Sequence, residues 1–367
     1  MVFNDSIMAQ LDSIISTARA GLNPVFARRT ARDWSQAELA QRAGISRAAV
    51  SAIEGERLTP SVTAALALAA VLECSVEELF AKRLTAVAPS PEWGWAPGRE
   101  TCRYWEAEVN QRCLMYPVEA LGLNPIPHDG LWVDGLCRES RPAPAATTLT
   151  LASCDPAASL LAAEYARESG FRLLIFPRSG AEALELLRQR RVHVAGLHRS
   201  TAEHPERNTE SARAKLGSGY QLLRVALWEE GIALRAEDQT RSAQAVIKRT
   251  RLWAARQPGS AARECLDELL TGHSFARRQA RSHAGVAEAV RSGWAGAGVC
   301  VRLCAEEAGL NFLPVRREAL DFCFSDALRH DPRIQALVRL LRKRAYRRLL
   351  GDLPGYNAAQ TGEMIAV

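Results

Sequence analysis

Two groups of residues in this 367-residue chain have types and spacing suited to chemistry. The first lies in WSQAELAQRAGISRAAVSAIEGERLTPSVTAALALAAVLECSVEELF, residues 34–80. Ser35 with Glu38 and Ser75 with Glu78 form capping boxes, in which each side chain answers an unpaired backbone N–H of the other, and Ser46 marks a third helix start. Leu39, Ala43, Ile45, Val50 and Ile53 have the spacing that packs two short helices across a tight turn, with Gly44 free to make it. This is a helix-turn-helix pattern, and its chemistry is the reading of base edges in duplex DNA. The second group consists of short polar loops that follow apolar runs: Ser153-Cys154-Asp155, Pro177-Arg178-Ser179-Gly180, Gly196-Leu197-His198, Arg256-Gln257-Pro258-Gly259-Ser260 and Arg281-Ser282-His283. Helix amino termini at strand ends present unpaired N–H groups. Arg178, Ser179, Arg256, Ser260 and Ser282 suit an oxyanion there, while His198, His283 and Trp253 also suit a small organic anion. Arg256 and Gln257 follow the apolar strand RLWAA directly, where a charge is costly unless it meets a cleft, a partner or water. Ser153 and Asp155 serve equally as helix starts, and Asp155 fits beside an anion only as a cap.

The elements that must position these groups can be read outward from them. Residues 6–20 place Ile7, Leu11, Ile14, Ile15 and Ala18 at helical spacing, which predicts an amphipathic helix in segment 1–22. Short helices fill 23–84, and Pro89, Pro91, Gly94, Pro97 and Gly98 mark a boundary near 85. Residues 101–138 are rich in Trp, Tyr, Val and Leu in short runs cut by Pro117, Pro125, Pro127 and Gly130, so a small strand-rich connector is expected over 85–147. Strands then alternate with helices: 149–152, 156–169, 171–176, 179–190 and 192–196, and again 251–255, 260–271, 283–292, 296–301 and 310–315. Parallel β-α-β units with right-handed crossovers follow from that alternation. Two α/β lobes are expected over 148–356, lobe one from 148–230 and 327–356, lobe two from 231–326, with 357–367 as a tail. The stretches 222–236 and 318–326 can cross between lobes. The helical end at 333–348 carries Arg333, Arg339, Arg342, Lys343, Arg344, Arg347 and Arg348 and reads as a solvated amphipathic helix closing lobe one, with a second nucleic-acid contact as its alternative.

Composition narrows the functional classes. A hydrophobic fraction of 47% with 24% charged residues is that of a folding, globular chain, and a net charge of +6 permits contact with a polyanion without demanding it. The nine cysteines are scattered, with no C-x-x-C pair and no Cys/His ladder of zinc spacing, so they read as reduced thiols. Cys300 and Cys304, four residues apart, read as small buried hydrophobes, with a thiol pair as the alternative. The start MVFNDSIMAQLDSII lacks the basic region of a signal peptide, and no run of about 18 apolar residues occurs. A cytoplasmic protein without a membrane span is expected. No nucleophile elbow, phosphate loop, metal ladder or dinucleotide fingerprint is present, so neither an enzyme nor a resident cofactor or metal is expected.

The segment SQAELAQRAGIS, the Glu54-Gly55 step, Pro60 and LECSVEELF together resemble the Cro/phage-repressor (Xre) family over about 60 residues. The resemblance implies a five-helix domain whose third helix, about 46–53, enters the major groove. By position, Gln36 would hold a phosphate, Arg47 and Ala48 would face bases, and Ala52 would follow one turn on. Arg47 can present two donors to guanine O6 and N7, whereas Ala48 and Ala52 offer methyl contacts alone, so specificity leans on Arg47, Ser51, Arg57 and DNA shape, with Ser46 at the helix start. Arg28, Arg29 and Arg32 can meet phosphates, although Arg29 and Glu54 can equally pair within the domain. A monomer makes too few contacts, so a homodimer is expected, with helix 6–20 or the aromatic module of Trp93, Trp95, Tyr104 and Trp105 as interface, unless these pack within the chain.

Residues 148–356 resemble the cytoplasmic form of the periplasmic-binding-protein domain found fused to regulators and related to molybdate-binding proteins. The resemblance rests on RLWAARQPGSAARECLDELL, SHAGVAEAVRSGWAGAGV and LLGDLPGYNAAQTGEM. It implies a ligand in the interlobe cleft, with molybdate, tungstate or a related oxyanion as the first choice. The expected whole is a multidomain regulator: an all-α helix-turn-helix domain, a small β-rich connector and a two-lobed ligand-sensing domain. Its alternatives are a DNA-bound protein whose carboxyl-terminal domain serves only oligomerisation, and an enzyme using the cleft.

Overall fold

The computed structural model describes residues 23–55, 57–80, 92–119, 127–139 and 145–367. The helix expected at 6–20 and the boundary near 85 lie outside the described residues. The chain divides into two compact units, 1–90 and 91–367.

In the first unit, the described residues form five helices: α1 (Pro24–Thr30), α2 (Gln36–Ala43), α3 (Arg47–Glu54), α4 (Val62–Val71) and α5 (Val76–Phe80). Asn23 caps α1 by accepting from the Val25 and Phe26 N–H groups, with Pro24 in the first turn where no donor is needed. Both expected capping boxes form: Ser35 accepts from Glu38 N while Glu38 accepts from Ser35 N, and Ser75 and Glu78 do the same. Gly44 turns the chain between α2 and α3 at φ 66°, a left-handed conformation that favours glycine. Val25, Leu39, Val50, Ile53, Leu68 and Leu72 close the core.

The second unit opens with a five-stranded sheet in the order β1 (Glu92–Trp93), β3 (Arg112–Pro117), β2 (Cys102–Val109), β4 (Gly130–Val133), β5 (Leu136–Glu139). Its tight turns, Asn110-Gln111 and Asp134-Gly135, hold positive φ at both central residues, the twist that suits a two-residue hairpin. This module packs onto the α/β domain. Trp95 lies edge-on to Phe176 at 4.5 Å, the Tyr116 hydroxyl donates to Arg191 O at 2.7 Å, and Arg172 donates to both oxygens of Asp129. Tyr104 and Trp105 are fully buried within the unit. The aromatic cluster expected as a dimer interface, unless it packs within the chain, takes the intramolecular alternative, because its rings find partners in Phe176 and within their own sheet.

The α/β domain is built on one ten-stranded sheet. Lobe one contributes β6 (Thr148–Ser153), β7 (Arg172–Pro177) and β8 (Val194–Ser200), and lobe two β10 (Leu252–Arg256), β11 (Ala276–Ala280) and β12 (Ala297–Val301). Within each lobe these strands are parallel. Two 15-residue strands, β9 (Tyr220–Leu234) and β13 (Asn311–Ser325), join the lobes as an antiparallel pair, giving the order β11-β10-β12-β9-β13-β8-β6-β7. The expected strand 310–315 and crossing segment 318–326 are thus one continuous element. The lobe boundary cuts through both long strands: residues 230–233 pair with β12, while 319–323 pair with β8. The expected tail is also part of the sheet, since β14 (Tyr356–Asn357) and β15 (Met364–Ala366) both pair with β9. The basic end of the chain is two helices, Pro332–Arg342 and Arg344–Gly351, broken at Lys343. Arg333 on the first is buried and donates to Glu108 O and Thr148 O, so that helix is anchored inward at its start.

Candidate functional site: the recognition helix and the interlobe centre

Helix α3 starts at Ser46, whose Oγ accepts from Ala49 N at 3.1 Å, so that side chain is engaged as a cap. Arg47, Ala48 and Arg57 are exposed, and Ser51 and Ala52 are half-buried. Behind them a buried network holds the domain. Arg29 donates to both oxygens of Glu54, at 2.6 and 3.1 Å, and to Trp34 O. Gln36 donates from Nε2 to Glu54 at 2.8 Å, so its amide is oriented by the same carboxylate. Arg28 pairs with Glu78 at 3.2 Å. Arg29 thus takes the internal alternative left open by the sequence.

The loops at the strand ends converge on the junction between the lobes. After β6 comes Cys154, and at the end of β8 comes His198; from lobe two come Arg256, at the end of β10, and His283, which opens the helix His283–Arg291. The Cys154 Sγ lies 3.0 Å from His198 Nε2, and His198 Nδ1 lies 2.7 Å from Glu318 Oε2 on β13. The imidazoles of His198 and His283 stand 5.8 Å apart, and Trp228 on β9 packs edge-on to both, at 4.7 and 5.9 Å. Trp228 Nε1 also donates to Glu318. Arg316 pairs with Glu230 and Glu318, two carboxylates that are completely buried. Among the described residues, neither nitrogen of His283 has a hydrogen-bond partner, nor does Arg256 Nη1, although both residues are nearly fully buried.

The electrostatics follow from burial and pairing. Burial opposes ionisation of the half-buried Cys154, but the charge and hydrogen bond of His198, helped by Arg256, outweigh it and hold the thiol below its ordinary value. Burial likewise opposes protonation of His198, yet Cys154 and Glu318 raise it well above the usual imidazole value. His283 is driven well below it, first by burial and then by Arg256 and His198. These directions favour charge separation between Cys154 and His198 and the uncharged form of His283.

The other expected ligand residues are placed differently. Ser153 is buried, its Oγ accepting from Asp155 N; Asp155 caps Ala157 N and accepts from the Tyr356 hydroxyl at 2.6 Å. Ser179, Ser260 and Ser282 cap helices, accepting from Glu182, Arg263 and Gly285 N. Gln257 accepts from Arg256 Nε. Arg178 is held by Glu119 at 2.5 and 2.9 Å and stacks over Trp95, on the connector side. Cys154, Trp228, Glu230, Arg316, Glu318 and Tyr356 belong to the centre without having been singled out as ligand residues. One signal was available: Glu230 and Glu318 interrupt long apolar strands, where a carboxylate is costly unless paired. A cavity of about 300 Å³ opens between Gly180 to Leu184 of lobe one and Gly259 to Ala261 of lobe two, with His198 on its wall.

With this geometry in place, the comparisons with known proteins fall on the same two units. The helix-turn-helix family matches residues 25–79, and the family described as the PBP superfamily domain matches residues 162–342. No curated protein matches the chain. Among solved structures, PhnD1 from Prochlorococcus marinus in complex with methylphosphonate is 10% identical with a TM-score of 0.43, over 60% of this chain and 93% of that one. An ancestral arginine-binding protein bound to arginine is 12% identical with a TM-score of 0.42, over 56% and 98%. A reduced form of OxyR from N. meningitidis is 12% identical with a TM-score of 0.39, over 52% and 91%. The chain joins a helix-turn-helix domain of the DNA-binding class to a periplasmic-binding-protein-like domain of the ligand-binding class. That combination fits a DNA-binding regulator with a ligand-binding domain. Among the described residues, no helix is long and apolar enough to cross a membrane.

Proposed function

We propose that the chain is a ligand-responsive, one-component transcription regulator that works in the cytoplasm. It binds operator DNA as a homodimer through α3 and answers to a small anion held between its lobes. Support for the sensing half comes chiefly from one observation: two nearly fully buried residues of lobe two, Arg256 at the end of β10 and His283 at a helix start, carry polar atoms that no described residue satisfies, Nη1 of the first and both ring nitrogens of the second. A buried donor left unpaired costs about 1–3 kcal/mol, so an anion between the lobes recovers free energy by meeting the guanidinium. Molybdate, tungstate or a similar oxyanion, or a small organic anion, fits that donor. Such a ligand favours the closed arrangement of two lobes joined by β9 and β13, and a closure equilibrium of this kind can be coupled to DNA affinity.

Support for the DNA-reading half is the exposure of Arg47 and Ala48 at the start of α3 while Val50 and Ile53 face the core. Duplexes selected by the full-length protein from a random library provide the test. Arg47→Ala is expected to lower discrimination between selected and random duplex by about 1–3 kcal/mol, or about five- to 150-fold. Its thermal melt should match that of the parent protein, since the side chain is exposed. Unchanged discrimination would refute the role of α3.

A further inference from the structure

We infer that Cys154, His198 and His283 form a binding site for a transition-metal ion of the zinc class at the floor of the interlobe centre, resting on the reading of that centre as the ligand site.

One donor atom from each of the three side chains lies within 4.8 Å of the others. Ligands at the usual zinc distances, about 2.3 Å for sulfur and 2.0 Å for nitrogen, stand roughly 3.3–3.6 Å apart around a tetrahedral ion. The Cys154 to His198 separation of 3.0 Å is a hydrogen bond that must open by about half an ångström, and the proton held between the two atoms is released as both become ligands. The second sphere is already assembled. Glu318 accepts from His198 Nδ1 and so aims the Nε2 lone pair at Cys154, the carboxylate–imidazole arrangement that orients a metal-bound histidine. His283 supplies the independent observation. It is 1% exposed, and neither ring nitrogen has a partner among the described residues, although a neutral buried imidazole offers one donor and one acceptor that should both be met. A metal bond removes that deficit at one nitrogen.

Sulfur with two imidazoles selects zinc or copper over magnesium or calcium, and three protein ligands leave the fourth position open. Arg256, at the end of β10 with Nη1 unpaired among the described residues, offers a donor that can retain an anion on that open position. The anion reading and the metal reading then describe one composite site.

The test uses full-length protein stripped by a chelator, titrated with Zn²⁺ by calorimetry and with Co²⁺ by absorption, without DNA. One equivalent per chain and a sulfur-to-cobalt charge-transfer band are expected. Glu318→Gln should weaken binding about 10- to 100-fold, and Cys154→Ser and His283→Gln by more. His283→Gln breaks no hydrogen bond of the apo protein, so its metal-free melt should match the parent. A Cys113→Ser, Cys137→Ser double variant, at two exposed thiols, should bind as the parent does. No band at stoichiometric Co²⁺, a band that survives Cys154→Ser, or a band lost in the double variant would overturn the assignment. Because no DNA is present, any of these failures leaves duplex selection through α3 standing.

Discussion

Buried charge governs the molecule at the scale of single residues. Arg29 and Glu54 are 9% and 4% exposed in their side chains and meet at 2.6 Å, tying α1 to the end of α3. Glu54→Ala leaves the guanidinium buried without its carboxylate, and breaking such a pair costs about 3 kcal/mol or more. The first unit should then melt several degrees earlier, read by calorimetry as a shift of its own transition, while the second unit's transition stays in place. His193 offers a prediction of opposite chemistry. It accepts or donates within a buried network, at 2.8 Å to both Thr150 Oγ1 and Glu108 O, and burial, with Arg333 beside it, pushes its value from 6.5 down to about 3. The unfolded chain therefore binds a proton below about pH 6.5 that the native protein refuses until about pH 3, so stability falls as pH falls through that window. His193→Gln should flatten part of the slope between pH 6.5 and 4, and a slope equal to the parent's would contradict the assignment. The resemblance to the helix-turn-helix family suggests Arg29 with Glu54, as an alternative to a phosphate contact. Nothing in the sequence suggests Cys154 with His198 and His283, which come from a loop, a strand and a helix start and meet only when the sheet is complete.

Elements were read from the sequence where their hydrophobic period was strong. The capping boxes at Ser35 and Ser75 and the helix starts at Ser260 and Ser282 stand where the pattern puts them, and the strand expected at 251–255 runs Leu252–Arg256, one residue on, so that Arg256 closes the strand instead of following it. Strand β11, ARRQA, carries almost no apolar residue because it lies exposed at the sheet edge, so its sequence has no period to read. The sequence of β13 reads as two segments because Pro314, Arg316 and Arg317 interrupt its apolar run. The structure explains the interruption by register shifts against β9 after Pro314 and after Leu320, and by ion pairs from Arg316 to Glu230 and Glu318. Opposite Pro314 sits Gly231, where an added Cβ would come within 2.1 Å of Leu313 O. Gly231→Ala must push the two crossing strands apart and is expected to destabilise the α/β domain by about 1–3 kcal/mol. A chemical-denaturation midpoint unchanged from the parent would show that the strands tolerate the side chain. The glycine is thus a packing requirement of the lobe junction.

For the molecule as a whole, the domain order of helix-turn-helix, β-rich module and two-lobed α/β domain follows from changes in period along the chain, which survive without knowledge of any contact. The partition of the lobes did not, because β9 and β13 belong to both and the terminal residues 356–357 and 364–366 return to the same sheet. The β-rich module is likewise bound into the second unit by side chains such as Arg172 and Arg333, whose partners are distant in sequence. The central claim is that the occupancy of the interlobe centre sets the affinity of α3 for DNA. Fluorescence anisotropy of one selected duplex, titrated with the full-length protein in the presence and absence of molybdate, tungstate, phosphate and Zn²⁺, tests it most directly. At least one of these should change the Kd by about fivefold or more, and Arg256→Gln should abolish the change while leaving the ligand-free Kd intact. A Kd that stays the same under every condition, in the parent and in Arg256→Gln alike, would contradict the account.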